Sequence, residues 1–176
     1  GQSTVVAVSK PVYSSSILTQ YETLENFRAY LAEQEANLKT MSDSERASFF
    51  YSFGSKCSSG LSLIKPEMRP YLIEFIDKHQ NPNNGMWSEN LYANSTNALH
   101  KIAAVYNGCG AAFKHVDKMA LSTLEILMWD VKTRPISATC DLYNVWSCFH
   151  LLYTNIKKAG SGTAAERTAR CEEIKT

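Results

Sequence analysis

Apolar residues recur every three or four positions along most of the chain, which is the spacing of one face of an α-helix. A first helix is predicted over residues 18–39 from the positions Leu24, Phe27, Leu31 and Leu38. Ser42 and Glu45 have the spacing of a capping box, in which two side chains satisfy the first N–H groups of a helix. A second helix is therefore predicted to follow, with a buried face made of Phe49, Phe53, Cys57, Leu61 and Ile64.

Two prolines mark the predicted ends of a third helix. Pro66 suits a first helical turn, where its missing N–H is not needed, and Asn81 precedes Pro82, a position that disfavours helix. The predicted buried face consists of Met68, Leu72, Phe75, Ile76 and His79. The stretch 83–85 then predicts a turn. A fourth helix is predicted from Asn94 or Ser95 to a left-handed glycine within residues 107–110.

The second half of the chain continues this periodicity. A fifth helix is predicted over residues 116–131, with a buried face made of Ala120, Leu124, Leu127, Met128 and Val131. A sixth, over residues 139–158, has the most regular pattern, formed by Leu142, Val145, Trp146, Phe149, Leu152, Tyr153 and Ile156. A seventh helix is predicted from Thr163 onwards. The helix–loop–helix unit recurs at roughly 40 to 50 residues, a length typical of helical-pair repeats.

The predicted fold class is therefore all-α, built from antiparallel helical hairpins. Residues 1–16 are the exception, because the stretch 4–8 is β-prone and Pro11 interrupts it, so we predict a short N-terminal arm. Residues 17–176 form the helical-repeat domain. With 44% hydrophobic and 20% charged residues, the chain has the composition of a soluble globular protein with a proper core.

The charge balance narrows the choice of partners. Lys and Arg number 18 and Asp and Glu number 17, so the chain carries a formal charge of only +1. Such a chain has no long-range field to attract nucleic acid. No apolar run approaches the roughly 20 residues of a membrane helix. We therefore expect that the chain binds neither nucleic acid nor a membrane. The candidate partners are a carbohydrate, another protein or a second copy of the chain.

The cysteines and histidines predict neither a disulfide scaffold nor a metal site. Five cysteines are irregularly spaced without a C-x-x-C pair, which indicates reduced and mostly buried thiols. The four histidines are well separated and lie in no metal-binding motif, so we expect no metal and no cofactor. A cytoplasmic location is favoured, although a start at Gly1-Gln2 is also compatible with a removed signal peptide.

The stretch 69–87 resembles the QW-type repeat of terpenoid cyclases and prenyltransferase-like α/α-toroid proteins, including bacterial members of that group. That pattern has a basic residue, an aromatic residue, aliphatic residues, a glutamine and a Gly-x-aromatic turn. The matching residues stand in this order: Arg69, Tyr71, Leu72, Ile73, Phe75, Ile76, Gln80, Gly85, Met86 and Trp87. One extra residue between Gln80 and Gly85 departs from the pattern.

The resemblance implies a structural role for the motif. Gln80 would bind the end of a neighbouring helix and Trp87 would stack against it, with Gly85 in the turn. It also implies half of an α/α toroid, or an open array of helical pairs. The chain lacks the acidic D-x-D-D and D-D-x-x-D motifs of cyclases and prenyl-diphosphate enzymes, and it lacks the zinc ligands of protein prenyltransferases.

Two polar clusters are candidates for ligand binding. The first comprises the loop residue Trp87 and the helical residues Asn97, His100 and Lys101, which would bind a sugar or an acid group; a loop-anchoring histidine is the simpler interpretation. The second, at the predicted start of the sixth helix, comprises Asp141, Tyr143 and Asn144. Because α/α toroids place ligand sites at the ends of inner helices, both clusters would face one cavity by analogy.

Two functions remain open. A non-catalytic scaffold or binding domain explains the absent catalytic motifs and the balanced charge. The alternative is a carbohydrate-active enzyme domain of glycosidase or lyase type, which needs two acids, or a tyrosine and histidine pair, at one cleft. The enzyme hypothesis predicts Asp141 or a glutamate opposite His100 or Tyr143. The scaffold hypothesis predicts that these groups point apart or are buried and satisfied.

Overall fold

The structure is a computed structural model that describes residues 19–133, 147–148, 165 and 168–169. Residues 19–133 contain five α-helices: α1 (Leu24–Leu38), α2 (Asp43–Ser59), α3 (Arg69–Lys78), α4 (Ala93–Cys109) and α5 (Val116–Thr133). Short 3₁₀ turns occupy Thr19–Tyr21, Leu61–Leu63 and Pro66–Met68. No strand occurs within the described residues, so the all-α fold class is confirmed. The predicted N-terminal arm and nearly all of the predicted sixth and seventh helices lie outside the described residues.

Side-chain caps and a left-handed glycine set several helix ends. The Thr23 hydroxyl accepts the N–H of Asn26 at 3.1 Å, so α1 begins at Leu24 and not at residue 18. The Glu45 carboxylate accepts the N–H of Ser42 at 2.7 Å, which confirms the predicted start of α2. Helix α4 ends where Gly110 takes a φ of 69°, the left-handed conformation predicted for this glycine-rich stretch.

Helices α2 and α4 lie side by side and run in the same direction. Near their starts, the Asn94 amide donates to the Ser48 hydroxyl at 2.9 Å. About two turns further along both helices, a Cβ added to Gly54 would lie 3.0 Å from Ile102 Cγ1. Because glycine has no side chain, Gly54 allows the two backbones to approach closely.

Helices α1 and α3 also run in the same direction, but their contacts are charged. The Arg28 guanidinium carbon lies 5.1 Å from the centre of the Tyr71 ring. Towards the other end of both helices, Lys78 Nζ and His79 Nε2 each lie 2.8 Å from an oxygen of the Glu35 carboxylate. These groups are partly open to solvent, so each contact contributes about 1 kcal/mol or less.

One hydrophobic core is formed by residues of α1, α2, α3 and α4 and of the loop that follows α3. The largest fully buried side chains include Phe27, Leu38, Phe50, Met68, Leu72, Ile76, Met86, Trp87, Leu99, Ile102 and Tyr106. Phe50 of α2 lies near the middle, with its ring centre 6.0 Å from that of Trp87 and 6.3 Å from that of Phe75. Such spacing is favourable for aromatic pairs, so α2, α3 and the loop share one packed interior.

The predicted buried face of α5 is wrong in part. Leu124 and Met128 are 38% and 47% exposed, whereas Ala120 is buried as predicted. Among the side chains of this helix that the structure describes, the buried ones are Val116, Met119, Ala120, Ser122, Thr123 and Ile126; the side chain of Val131, also predicted to be buried, lies outside them. Apolar residues occur on nearly all sides of α5, so spacing alone does not select a face. Two hydroxyls fit the buried face because Ser122 and Thr123 donate to main-chain oxygens at 2.8 Å. No described helix is both long and apolar enough to cross a membrane.

Candidate functional site

The loop between α3 and α4, residues 79–92, is folded by its own side chains, and we call it the connecting loop. Asn81 Oδ1 accepts the N–H of Asn83 at 2.9 Å, and Asn84 Oδ1 accepts the N–H of Met86 at 2.8 Å. Between them, Gly85 has a φ of 72°. A Cβ at this position would lie 2.7 Å from the main-chain nitrogen of a residue in α5. Both the backbone conformation and the space therefore require glycine here.

Gln80 and Trp87 tie the connecting loop to the helices on either side. Gln80 Nε2 donates to the main-chain oxygen of Gly85 at 2.8 Å and to that of Lys114, just ahead of α5, at 3.3 Å. The Trp87 indole N–H donates to the main-chain oxygen of Ile76, in α3, at 3.0 Å. Both side chains are buried. Their bonds therefore hold the loop against the end of α3 and the start of α5.

Asp43, the first residue of α2, fixes the far end of the connecting loop. Its Oδ1 accepts the N–H of Glu89 at 2.6 Å, and its Oδ2 accepts the N–H and amide of Asn90 and the hydroxyl of Tyr92 at 2.9 to 3.1 Å. Burial alone would raise the pKa of the Asp43 carboxyl, but these donors hold it below its ordinary 3.8. The carboxylate is therefore ionised at neutral pH, and both of its oxygens are bound within the protein.

The connecting loop and the region around the start of α2 enclose a polar cleft of about 790 Å³, which we call the loop cleft. It is lined by Met41, Asp43, Arg46, His79, Asn81, Asn83, Asn84, Trp87, Ser88 and Glu89. Met41 and Trp87 are the apolar side chains in this wall, and Trp87 is only 1% exposed. A molecule entering the loop cleft therefore meets mainly polar groups.

The polar groups of the loop cleft differ in whether they are already bound. Asn81 and Asn84 hold the turns described above, and His79 contacts Glu35. Arg46, by contrast, makes one long hydrogen bond, from Nη1 to a main-chain oxygen at 3.5 Å. The side chains of Asn83 and Glu89 form no hydrogen bond within the described part of the chain. One cation, one anion and one amide are therefore available to a ligand.

The predicted first cluster is distributed over two places. Trp87 lines the loop cleft, whereas Asn97, His100 and Lys101 lie on α4 and do not line that cleft. The Asn97 amide donates to Asn94 Oδ1 at 3.1 Å, one turn earlier on the same helix. Burial lowers the pKa of His100, and the nearby Lys101 charge lowers it further.

The predicted second cluster, Asp141, Tyr143 and Asn144, lies outside the described residues. A common cavity for the two clusters therefore stays a prediction. Of the predicted sixth helix, Ser147 and Cys148 are described and helical, and the Cys148 thiol donates to the main-chain oxygen of Thr96 at 3.4 Å.

Sequence reasoning missed the polar residues at the mouth of the loop cleft. Asp43 lies within the capping box and Arg46 directly follows it, so both have the character of ordinary first-turn residues. Glu89 lies 46 positions after Asp43 in the chain. Only the side-by-side placement of α2 and α4 brings the two segments together, and no local pattern signals that placement.

The other grooves and reactive groups that the structure describes are weaker candidates for a functional site. An apolar groove of about 370 Å³ between the start of α4 and α5 is lined by Leu91, Tyr92, Ala93, Glu125, Ile126 and Trp129. Burial raises the pKa of the Cys57 and Cys148 thiols to about 12, so neither is a reactive thiolate at neutral pH. Where side chains are described, no three of His, Cys, Asp and Glu come together in a way that would hold a metal ion.

No family model, no curated protein and no solved structure matches this chain. Its function has to be inferred from its geometry. That geometry provides a polar cleft with fixed walls, an ionised acid whose oxygens are occupied, and three polar side chains that are available for binding.

Proposed function

We propose that this chain is a helical-hairpin repeat domain of the α/α-toroid type and acts as a non-catalytic binding scaffold. Support comes from contacts that recur at similar sequence separations. Glu35 contacts Lys78 and His79, 43 and 44 residues further on. Asp43 and Ser48 contact residues that lie 46 to 49 positions further on. Two helix pairs that repeat in the same orientation are what a hairpin repeat produces.

The bonds of Gln80 and Trp87 support the same proposal. The resemblance to QW-type repeats implies a glutamine that binds a neighbouring helix end and an aromatic residue that stacks beside it. Gln80 bonds to the main chain just ahead of α5, and the Trp87 indole bonds to the main chain of α3. The Trp87 ring also packs near Phe50 of α2, with centres 6.0 Å apart.

The state of Asp43 is the observation that carries the binding role. Glycoside hydrolysis needs two carboxyl groups at one cleft, and one of them must hold a proton at the working pH. The pKa of Asp43 is lowered, and four donors occupy its two oxygens. A carboxylate in this state is poorly suited to protonate a leaving group or to attack a sugar. The loop cleft is therefore suited to hold a molecule and not to transform it.

The alternative function is a carbohydrate-active enzyme domain of glycosidase or lyase type. The polarity of the loop cleft favours it, as does the second carboxylate there, Glu89, which is exposed. The sequence-based form of this hypothesis places Asp141 or a glutamate opposite His100 or Tyr143, and His100 does not line the loop cleft.

Turnover assays separate the two functions. The protein is incubated with neutral and acidic polysaccharides, and the release of reducing ends and of unsaturated products is measured. The proposal predicts no product above the level of a heat-denatured sample. Product that disappears in Asp43→Asn or Glu89→Gln, but persists in Glu67→Gln, would contradict the proposal and establish the enzyme. Glu67 is the matched control because it is an exposed acid outside the loop cleft.

A further inference from the structure

We infer that the loop cleft binds a neutral polyhydroxylated compound, such as a small oligosaccharide, through Arg46, Asn83 and Glu89. This inference rests on the proposed function, because it requires a cleft that holds its occupant without converting it. It goes further by naming the chemical class of the occupant and the side chains that contact it. None of these three residues is part of the two clusters predicted from sequence.

The available groups match the chemistry of hydroxyls. Arg46 supplies N–H donors. One of them makes a long hydrogen bond of 3.5 Å within the protein. Glu89 supplies carboxylate acceptors, and the Asn83 amide supplies both a donor and an acceptor. A hydroxyl donates one hydrogen bond and accepts others, so a compound with several hydroxyls can satisfy all three side chains together.

The charge of the cleft disfavours an anionic occupant. Asp43 is ionised at neutral pH because its pKa is lowered, and Glu89 adds a second carboxylate to the same wall. Arg46 balances one of these charges. Beside the cleft, the Glu35 carboxylate lies 2.8 Å from both Lys78 Nζ and His79 Nε2. A phosphate or a uronate would therefore meet net repulsion within the cleft, whereas an uncharged polyol would not.

The walls of the cleft explain both its fixed shape and its expected affinity. Asn81, Asn84 and Asp43 hold the connecting loop through its main chain, so little ordering is needed when a molecule binds. Trp87 is 1% exposed and offers no open ring face on which a sugar could stack. Binding therefore depends on hydrogen bonds alone, and we expect a Kd on the order of 1 mM.

A protein-observed NMR titration tests this inference with cellobiose, maltose and lactose as neutral probes. Galacturonate and glucosamine serve as an anionic and a cationic probe of similar chemistry. We expect saturable shifts of the amide signals of residues 83–89 with at least one neutral disaccharide, and weaker binding of galacturonate. Arg46→Ala and Glu89→Ala should each lower the affinity about tenfold. Glu67→Ala, outside the cleft, should leave it unchanged.

Arg46→Lys guards against loss of fold, because it keeps the charge and the length of the side chain but not the planar fork of donors. It should weaken binding while the amide spectrum stays that of the folded protein. Absence of shifts with all three disaccharides would overturn the inference, as would tighter binding of galacturonate. Binding that is unchanged in Arg46→Ala and Glu89→Ala would also overturn it. New sugar signals, which report conversion of the probe, would instead overturn the proposed function.

Discussion

The two parallel helix pairs have the same orientation but are held together by different forces. Helices α2 and α4 meet at Gly54, where a Cβ would lie 3.0 Å from Ile102, and their contact is buried and steric. Helices α1 and α3 meet through Glu35 with Lys78, and through Arg28 with Tyr71, in a groove that is open to solvent. The two pairs therefore share one orientation but are stabilised by different interactions. The α2–α4 pair is sensitive to volume, and the α1–α3 pair is sensitive to salt and pH.

This difference indicates which contacts keep the walls of the loop cleft rigid. The connecting loop is bound to Asp43 at the start of α2, and Gly85 lies against α5. The α1–α3 contacts reach the cleft only at His79, which contacts Glu35. Changes in the α2–α4 pair and the connecting loop should therefore have large effects on stability, whereas changes in the α1–α3 groove should have small ones.

The largest effect is expected for Gly85→Ala. The substitution forces alanine into a left-handed conformation and places its Cβ 2.7 Å from the main-chain nitrogen of Met119. We expect a loss of about 3 to 4 kcal/mol in the free energy of unfolding, measured in urea. Gly110→Ala is the matched control, because Gly110 has a similar φ of 69° but no atom within 4 Å of its Cβ position. Equal losses in both variants would show that the predicted clash is absent.

Gly54→Val tests the close approach of α2 and α4. The added side chain meets both the side chain and the main-chain nitrogen of Ile102, so the helices must separate, at a cost of about 2 kcal/mol. Ala32→Val makes a comparable change in the α1–α3 groove, where Ala32 is exposed. We expect it to change the free energy of unfolding by about 0.5 kcal/mol or less. Similar losses from the two substitutions would contradict the difference between the pairs.

Glu35→Gln should have a smaller effect because its ion pairs are partly exposed. We expect a loss of about 0.5 to 1 kcal/mol at low salt, with most of it absent in concentrated salt. Glu33→Gln, on an exposed position of the same helix, is the control and should change little. A loss in Glu35→Gln that does not depend on salt would mean that the side chain acts through packing and not through charge.

The pH dependence of this contribution is the smallest effect. The hydrogen bond from Lys78, opposed in part by burial and reinforced by His79, lowers the pKa of Glu35 below its ordinary 4.5. Because the folded-state pKa is the lower one, the contribution is complete above pH 4.5 and is lost as the pH falls through the folded value. The difference in unfolding free energy between wild type and Glu35→Gln should therefore shrink below pH 4.5. A difference that grows on acidification would contradict this assignment.

The start of α2 and the left-handed glycine after α4 were predictable from sequence because both depend on local chemistry. The capping box of Ser42 and Glu45 and the conformation of Gly110 each involve residues within one or two helical turns. The buried face of α3 was equally readable, since Leu72, Phe75 and Ile76 occur in a helix with a polar opposite side. The same method failed on α5, where Leu124 and Met128 are apolar but exposed and Ser122 and Thr123 are polar but buried. Spacing identifies a face only when the other faces are polar.

The loop cleft was not predictable from local patterns for a different reason. Asp43 and Glu89 lie in separate helix–loop units, and the parallel placement of α2 and α4 brings them together. The resemblance to QW-type repeats implied structural roles for Gln80 and Trp87, and the first polar cluster separately placed Trp87 at a ligand site. In the structure that side chain is buried, and the groups open to a ligand are its polar neighbours.

Hydrogen exchange of the Trp87 indole N–H tests most directly whether the connecting loop is part of the rigid core. The chain contains three tryptophans, so the indole signal of Trp87 can be assigned by loss of one signal in Trp87→Phe. Because this N–H donates to Ile76 at 3.0 Å and its side chain is 1% exposed, we predict exchange only through global unfolding, at the rate of the slowest amides of α2 and α4. Exchange as fast as that of a surface loop would show that the loop is not held by Trp87, and the fixed walls of the loop cleft would be lost with it.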